Sequence, residues 1–357
     1  MKRLAVGLLV LVVAYLLFWP VPIDPQSWSP PVAPATDEGP FAVNQRLQSV
    51  EVLAADAGVG PEGLAFDADG ALYTGFVDGR VVTLDAASGR VTELANTGGR
   101  PLGMVMTEAG LVVADAINGL LRIDADGEVA TLSTESDARP FRFVDDVDVA
   151  PDGRIYFSDA SHRFGMDELM HDFFEHAGTG RLLRHDPVTG TTETLVDGLY
   201  FANGIAVGPD GDYVLVTETG RYQVTRYWLK GPQAGTTDVF IDNLPGFPDN
   251  ISYDDEGRFW LALYAPRDPL LDRILPQPWV RKILFRLPQW MHPEPKPYAA
   301  IVALDTDGQV VANAQASGSD IFGPITSVKR RGDTLYMGSL SYPGVARVPL
   351  SAVMLAE

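Results

Sequence analysis

Asp145-Asp146-Val147-Asp148-Val149, then Asp152-Gly153-Arg154-Ile155-Tyr156, reads as a strand, a tight turn and a second strand carrying an aromatic residue. The Asp-Gly pair decides the reading, because glycine supplies the positive φ that a two-strand hairpin turn requires. The phrase returns as Glu62-Gly63-Leu64-Ala65-Phe66 before Asp69-Gly70-Ala71-Leu72-Tyr73, and as Asn203-Gly204-Ile205-Ala206-Val207 before Asp210-Gly211. It returns again as Asp249-Asn250-Ile251-Ser252-Tyr253 before Glu256-Gly257-Arg258-Phe259-Trp260. Two weaker copies complete the set: Leu102-Gly103-Met104-Val105-Met106 before Ala109-Gly110, and Thr326-Ser327-Val328 before Gly332-Asp333-Thr334-Leu335-Tyr336. Most copies run on into a second hairpin, as residues 79–85 do into 89–94. Four short strands per copy, at a spacing of roughly 40 residues, describe a propeller blade. The six copies therefore predict an all-β fold, a six-bladed β-propeller over residues 47–357. The strand around residues 48–54 is expected to complete the last blade, since a strand from the other terminus removes an open edge. A β-sandwich would account for the alternation but not for the period.

Outside the repeat, the N-terminus carries the clearest signal. Lys2 and Arg3 precede an uncharged run over residues 4–23 that ends near Phe18 and Trp19. Such a run, basic on its N-terminal flank, predicts a transmembrane helix within residues 1–23, with the propeller on the periplasmic or extracytoplasmic side. A cleaved signal peptide is the rival reading, and no small-x-small cleavage site follows the apolar stretch. Residues 24–46 are Pro-rich and read as a semi-rigid tether. The net charge of −20 excludes a nucleic-acid partner, which needs a basic surface. The chain has no cysteine, so disulfide and thiolate chemistry are both excluded.

The first strand of a blade lines the central channel, so equivalent positions at its start form a ring about one mouth. Through the six copies that position reads Glu62, Leu102, Asp145, Asn203, Asp249 and Thr326, and the next residue adds Asp146 and Asn250. Carboxylates crowded about an axis repel unless a cation lies between them. Carboxylate and amide oxygens suit calcium or magnesium rather than zinc or copper, and four or five protein ligands with room for water suit calcium (Ca2+) better. Another hard divalent cation would satisfy the same oxygens. The plainer reading is that these are Asx residues of ordinary strand-start turns.

At these residues the chain resembles the strictosidine synthase-like family, within the group that holds the senescence marker protein-30/gluconolactonases and the paraoxonases. The stretches that carry the resemblance are residues 198–206 (Gly-Leu-Tyr-Phe-Ala-Asn-Gly-Ile-Ala), 227–232 (Tyr-Trp-Leu-Lys-Gly-Pro) and 244–251 (Leu-Pro-Gly-Phe-Pro-Asp-Asn-Ile), with Gly180-Arg181-Leu182-Leu183 and Arg100-Pro101-Leu102-Gly103 beside them. The resemblance implies a calcium ion in the channel, with Glu62, Asn203 and Asp249 as ligands, Asn250 as a further one, and Asp145 near the metal where relatives carry asparagine. Asp146 matches a ligand of the paraoxonases' second calcium, but Gly63 stands where its acidic partner would be. Thr326 replaces the glutamate that strictosidine synthases use for amine condensation, and Leu102 replaces the paraoxonase histidine; both departures argue against transferring those activities.

What remains is gluconolactonase-like hydrolysis of a small-molecule ester or lactone, in which a carboxylate activates water beside a carbonyl-polarising calcium. Asp249 is the first candidate for that catalytic carboxylate and Asp145 the second. A non-catalytic, metal-stabilised propeller that binds a ligand or a protein partner is the alternative. His162, His171 and His176, in the insertion over residues 161–178, lack metal-ligand spacing and read as packed or exposed residues. The insertion over residues 264–298 mixes Trp279, Ile283, Leu284, Phe285 and Trp290 with Arg273, Arg281, Lys282 and Arg286. It reads as a lid, as a segment touching lipid, or as plain packing. No nucleophile elbow, phosphate loop or dinucleotide fingerprint is present.

Overall fold

The computed structural model describes residues 2–254, 256–292 and 297–354. The repeat folds as six four-stranded antiparallel sheets. Their inner strands are Leu64–Phe66, Pro101–Thr107, Val144–Val149, Ala202–Val207, Gly246–Tyr253 and Ser327–Arg331, for blades 1 to 6 in that order. Each touches the next and blade 6 returns to blade 1, so the inner strands enclose a central channel. The turns are those the Asp-Gly and Glu-Gly pairs imply: Gly70, Gly153, Gly211 and Gly257 all have positive φ.

Ring closure follows the expected route. Glu51–Leu53 pairs with Val345–Pro349 as the outer strand of blade 6, in the register Glu51 to Arg347 and Leu53 to Val345. An Arg347–Glu51 ion pair of 2.8 Å fastens its outer face. The core is distributed rather than central. One apolar cluster fills each contact between neighbouring blades, for example Trp260, Ala262, Ile301 and Ala314 of blade 5 against Val328, Leu335 and Met337 of blade 6. A propeller needs this arrangement, because each flat sheet has two faces to bury and only its neighbours to bury them.

The N-terminal expectation requires a correction. Helix α1 covers Lys2–Phe18, 17 residues, and stops before Pro20, whose ring cannot continue a helix. At 1.5 Å per residue that is about 26 Å, short of the roughly 30 Å of a hydrocarbon core. Among the described residues no helix is long and apolar enough to cross a membrane. The segment after it, read above as a tether, lies against the body. Ile23 and Phe41 are buried, Gln26 N–H donates to Glu175 O at 2.8 Å, and Arg267 donates to Pro31 O at 2.6 Å.

Glycine at the inner-strand starts has a steric cause. A Cβ on Gly63 would lie 1.8 Å from Leu102 O of the next blade. No side chain fits, so the acidic residue that a second ion would need there is sterically forbidden. Gly63→Ala is expected to lower folding stability by about 3 kcal/mol, the upper end for overpacking. The shift in guanidinium unfolding midpoint at constant m-value measures it.

Candidate metal centre

The inner strands share a defect that builds the site. In blades 2 to 5 the pairing of the first strand with the second slips between Pro101 and Met104, Val144 and Val147, Ala202 and Ile205, and Pro248 and Ile251, with a further slip between Gly246 and Pro248 in blade 5. Each of the first four slips brackets the two residues that the sequence places at the ring: Leu102-Gly103, Asp145-Asp146, Asn203-Gly204 and Asp249-Asn250. A bulge frees backbone groups and re-aims side chains, and hydroxyls of the second strand take up the freed groups. Ser158 Oγ accepts from Asp146 N–H at 3.0 Å and donates to Asn203 O of blade 4 at 2.6 Å. Thr217 Oγ1 accepts from Gly204 N–H at 2.7 Å and donates to Asp249 O of blade 5 at 2.8 Å. From the inner strand of blade 6, Ser327 donates to Glu62 O of blade 1.

This relay holds Glu62, Asp145, Asn203, Asp249, Asn250 and Thr326 together, all 5 % exposed or less. Asn250 Nδ2 donates to Glu62 Oε1 at 3.3 Å. Asp146 faces the other way. Its Oδ2 accepts from Ile205 N–H at 2.8 Å, and its side chain lines a channel cavity of about 310 Å³ that runs on past Ser252 and Lys329. Burial raises Asp146 to about 7. Burial raises Glu62 as well, against the pull of Arg100. Asp145 and Asp249 are held well above the usual carboxylate range, first by burial and then by Glu62 and, for Asp249, by Asp145.

The residues fit a hard divalent cation. Glu62 Oε2, Asn203 Oδ1, Asp249 Oδ1, Asn250 Oδ1 and Thr326 Oγ1 are all buried without a hydrogen-bond donor, an expensive arrangement unless a cation satisfies them. Among the described residues no three His, Cys, Asp or Glu side chains form a metal-holding group by themselves. The amide oxygens of Asn203 and Asn250 are therefore needed to complete a shell around the carboxylates.

The sequence reading missed Arg100. Its side chain is buried, with Nη2 3.7 Å from Glu62 Oε2 and Nη1 donating to Gly60 O at 2.9 Å, while Nε has no acceptor. Three carboxylates against one guanidinium leave two negative charges, which a divalent ion would neutralise. Tyr264 was missed in the same way. Its phenol is raised by burial and then by Asp249 and Glu62. Neither residue sits at a repeat position, so no periodic signal marks them. Asp115, Asp159 and Glu218 are acidic and buried nearby, yet they cap loop amides: Arg100 and Asn118 N–H on Asp115, Phe143 N–H on Asp159, Tyr200 N–H on Glu218.

The three histidines are packing residues. His162 Nδ1 lies 2.6 Å from Thr179 O, and His171 sits between Phe164 and Phe285. His176 ends helix α2 (Leu169–Glu175), stacks on Trp28 at 4.9 Å and donates through Nε2 to Gly220 O at 2.7 Å.

Comparison with known proteins agrees with the fold and locates the family. The profile of the Strictosidine synthase family matches residues 145–232, and that of Strictosidine synthase-like, N-terminal matches residues 39–84. Protein STRICTOSIDINE SYNTHASE-LIKE 6 of Arabidopsis thaliana is 35% identical over 320 residues, covering 87% of this chain and 85% of the relative. The chain belongs to the strictosidine synthase-like family. The Adipocyte plasma membrane-associated protein of Homo sapiens is 32% identical over 379 residues, 98% of this chain and 89% of that protein. Among solved structures, a gluconolactonase from Xanthomonas campestris superposes with a TM-score of 0.62 at 19% identity, covering 92% of this chain and 97% of its own. A calcium-binding protein, regucalcin, from Agrobacterium tumefaciens gives 0.61 at 18% identity, with 87% and 95% covered. Likeness at that distance establishes the six-bladed architecture and leaves the chemistry to the residues.

His176 yields a pH prediction. Burial holds it down to about 4, whereas in the unfolded chain it titrates near 6.5. Its contribution is complete above pH 6.5 and is lost as pH falls toward 4, because the unfolded chain takes the proton first. Between pH 7 and 4.5 the wild type should lose about 2–3 kcal/mol through this group. His176→Gln should flatten that decline in urea titrations at the two pH values.

Proposed function

We propose that the chain is a calcium-dependent hydrolase of small-molecule lactones or esters. The observation that carries this reading is the set of buried oxygens without donors on Glu62, Asn203, Asp249, Asn250 and Thr326. Glu62, Asn203, Asp249 and Asn250 would hold the ion, with Asp145 beside them, and the ion when bound would supply Lewis-acid polarisation of a carbonyl oxygen. The remaining work falls to the chain itself. Asp249 is the proton acceptor for water, with Asp145 in second place. Arg100 lies beside Glu62 and adds positive charge to the carboxylate ring. The Arabidopsis and human relatives, similar over most of their length, share the family without specifying a reaction, and the gluconolactonase likeness extends to the fold alone.

A second reading rests on its own observation. The ring is roofed by Phe143, Phe201 and Phe173, so a sealed ion that only stiffens the channel suits the same residues. Amine condensation is the least favoured reading, since Thr326 offers a hydroxyl and no carboxylate.

We also propose that α1 anchors the protein in a membrane, with the propeller on the extracytoplasmic side. None of the helix is buried against the body, and its Leu and Val side chains are exposed from Leu4 to Val13. A helix somewhat shorter than the bilayer is accommodated by local thinning, with Tyr15 and Trp19 at the interface.

A panel of lactones and aryl esters, assayed with and without chelator, tests the hydrolase. Chelation should abolish turnover. Asp249→Asn should reduce it at least 100-fold while leaving the propeller's circular dichroism intact. A chelator that lowers the melting temperature without any turnover to lose would instead establish the structural ion.

A further inference from the structure

Two insertions and the N-terminal strap form a layered cap on the metal end of the channel. Phe143, Phe201 and Phe247 precede the ring residues Asp145, Asn203 and Asp249 by two positions each. Phe173 of α2 lies over this aromatic layer, 5.0 Å from Phe201 and 6.4 Å from Phe247. Above α2 lie helices α3 (Pro269–Ile274) and α4 (Pro278–Phe285), with Phe285 against Phe174 at 5.5 Å. Arg281 ties the layers together. Its fully buried guanidinium donates to Phe174 O at 3.0 Å, Glu175 O at 3.1 Å, Leu275 O at 3.0 Å and Gln26 O. The same insertion exposes Trp279 at 64 % and Trp290 at 80 %, with Leu270, Met291 and the cation Arg273 also exposed.

Helix α1 joins the cap on this same side. Arg286, at the end of α4, donates from Nε to Trp19 O at 2.7 Å and from Nη1 to Leu16 O at 2.9 Å, while Tyr15 Oη donates to Arg286 O at 3.2 Å. Lys282 pairs with Asp24 at 3.1 Å just beyond. The C-terminal end of α1 is therefore held against the end of α4, the helix that carries Trp279 and leads to Trp290. Exposed indole rings beside a basic side chain suit the headgroup region of a phospholipid bilayer, where one edge of the ring is apolar and the other wet.

We propose that this face, Leu270, Trp279, Trp290 and Met291, rests in the phospholipid headgroup layer, so that the capped metal end of the channel faces the membrane surface. The inference depends on the membrane reading of α1 and adds an orientation to it.

The chain has no cysteine, so single spin labels can be placed on the full-length protein in phosphatidylcholine nanodiscs. Leu11→Cys reports α1; Trp279→Cys and Trp290→Cys report the face; Val188→Cys, on an exposed turn at the far end of blade 3, is the aqueous control. Labels at 279 and 290 are expected to collide with oxygen more than with an aqueous nickel chelate, as at 11, and the reverse is expected at 188. Lipid-like collisions at 11 with water-like collisions at 279 and 290 would overturn the orientation and leave the anchor standing. Shielding of 279 and 290 from both reagents would mean that a protein partner covers them, and would also overturn it. Water-like collisions at all four positions would remove the anchor reading and this inference together.

Discussion

Three carboxylates and one guanidinium buried around a single axis set the terms for everything else in this propeller. Isolated buried charges cost several kcal/mol each after relaxation, and the protein does not escape by pairing them one to one. Arg100 reaches Glu62 only at 3.7 Å, and Asp145 and Asp249 repel both each other and Glu62. Such a ring is stable only if the strands carrying it are held independently. The hydroxyl relay does this: Ser158, Thr217 and Ser327 each cross from one blade to the next at the level of the charges. The fold is thus stitched most tightly where its electrostatics are least favourable in the absence of a cation.

The bulges join this stitching to the chemistry. A regular strand would send successive side chains to opposite faces, one into each neighbouring blade contact. In blade 3 the slip instead turns one residue toward the ring and the next toward the channel. That is why Asp145 and Asp146, adjacent in sequence, have different roles. One belongs to the carboxylate ring, and the other lines the cavity beneath it and accepts a backbone N–H of blade 4. Glycine recurs at these starts because the neighbouring inner strand leaves no room for a Cβ.

The cap adds a second level of organisation outside the blades. Its parts come from residues 20–32, 161–178 and 264–292, and Arg281 unites them through carbonyls at the C-terminal ends of α2 and α3, where the helix dipole favours a cation. The cap rests on the aromatic layer and not on the charged residues.

Much of this was legible in the sequence, for local reasons. Asp-Gly turns and alternating strands are short-range signals, so their recurrence specified the blades. Equivalent positions in a repeat occupy equivalent places, so the repeat itself groups Glu62, Asp145, Asn203, Asp249 and Thr326, with Asn250 next in the chain. The end of α1 was also locally encoded, in Pro20, although the hydropathy of residues 4–23 pointed to a longer helix. Arg100 and Tyr264 were not legible, because they enter the site from a loop and from a second strand, where no period marks them. The docking of residues 24–46 and the cap around Arg281 depend on contacts between segments more than 100 residues apart. Composition described those segments as tether and insertion; only the folded chain decided what they touch.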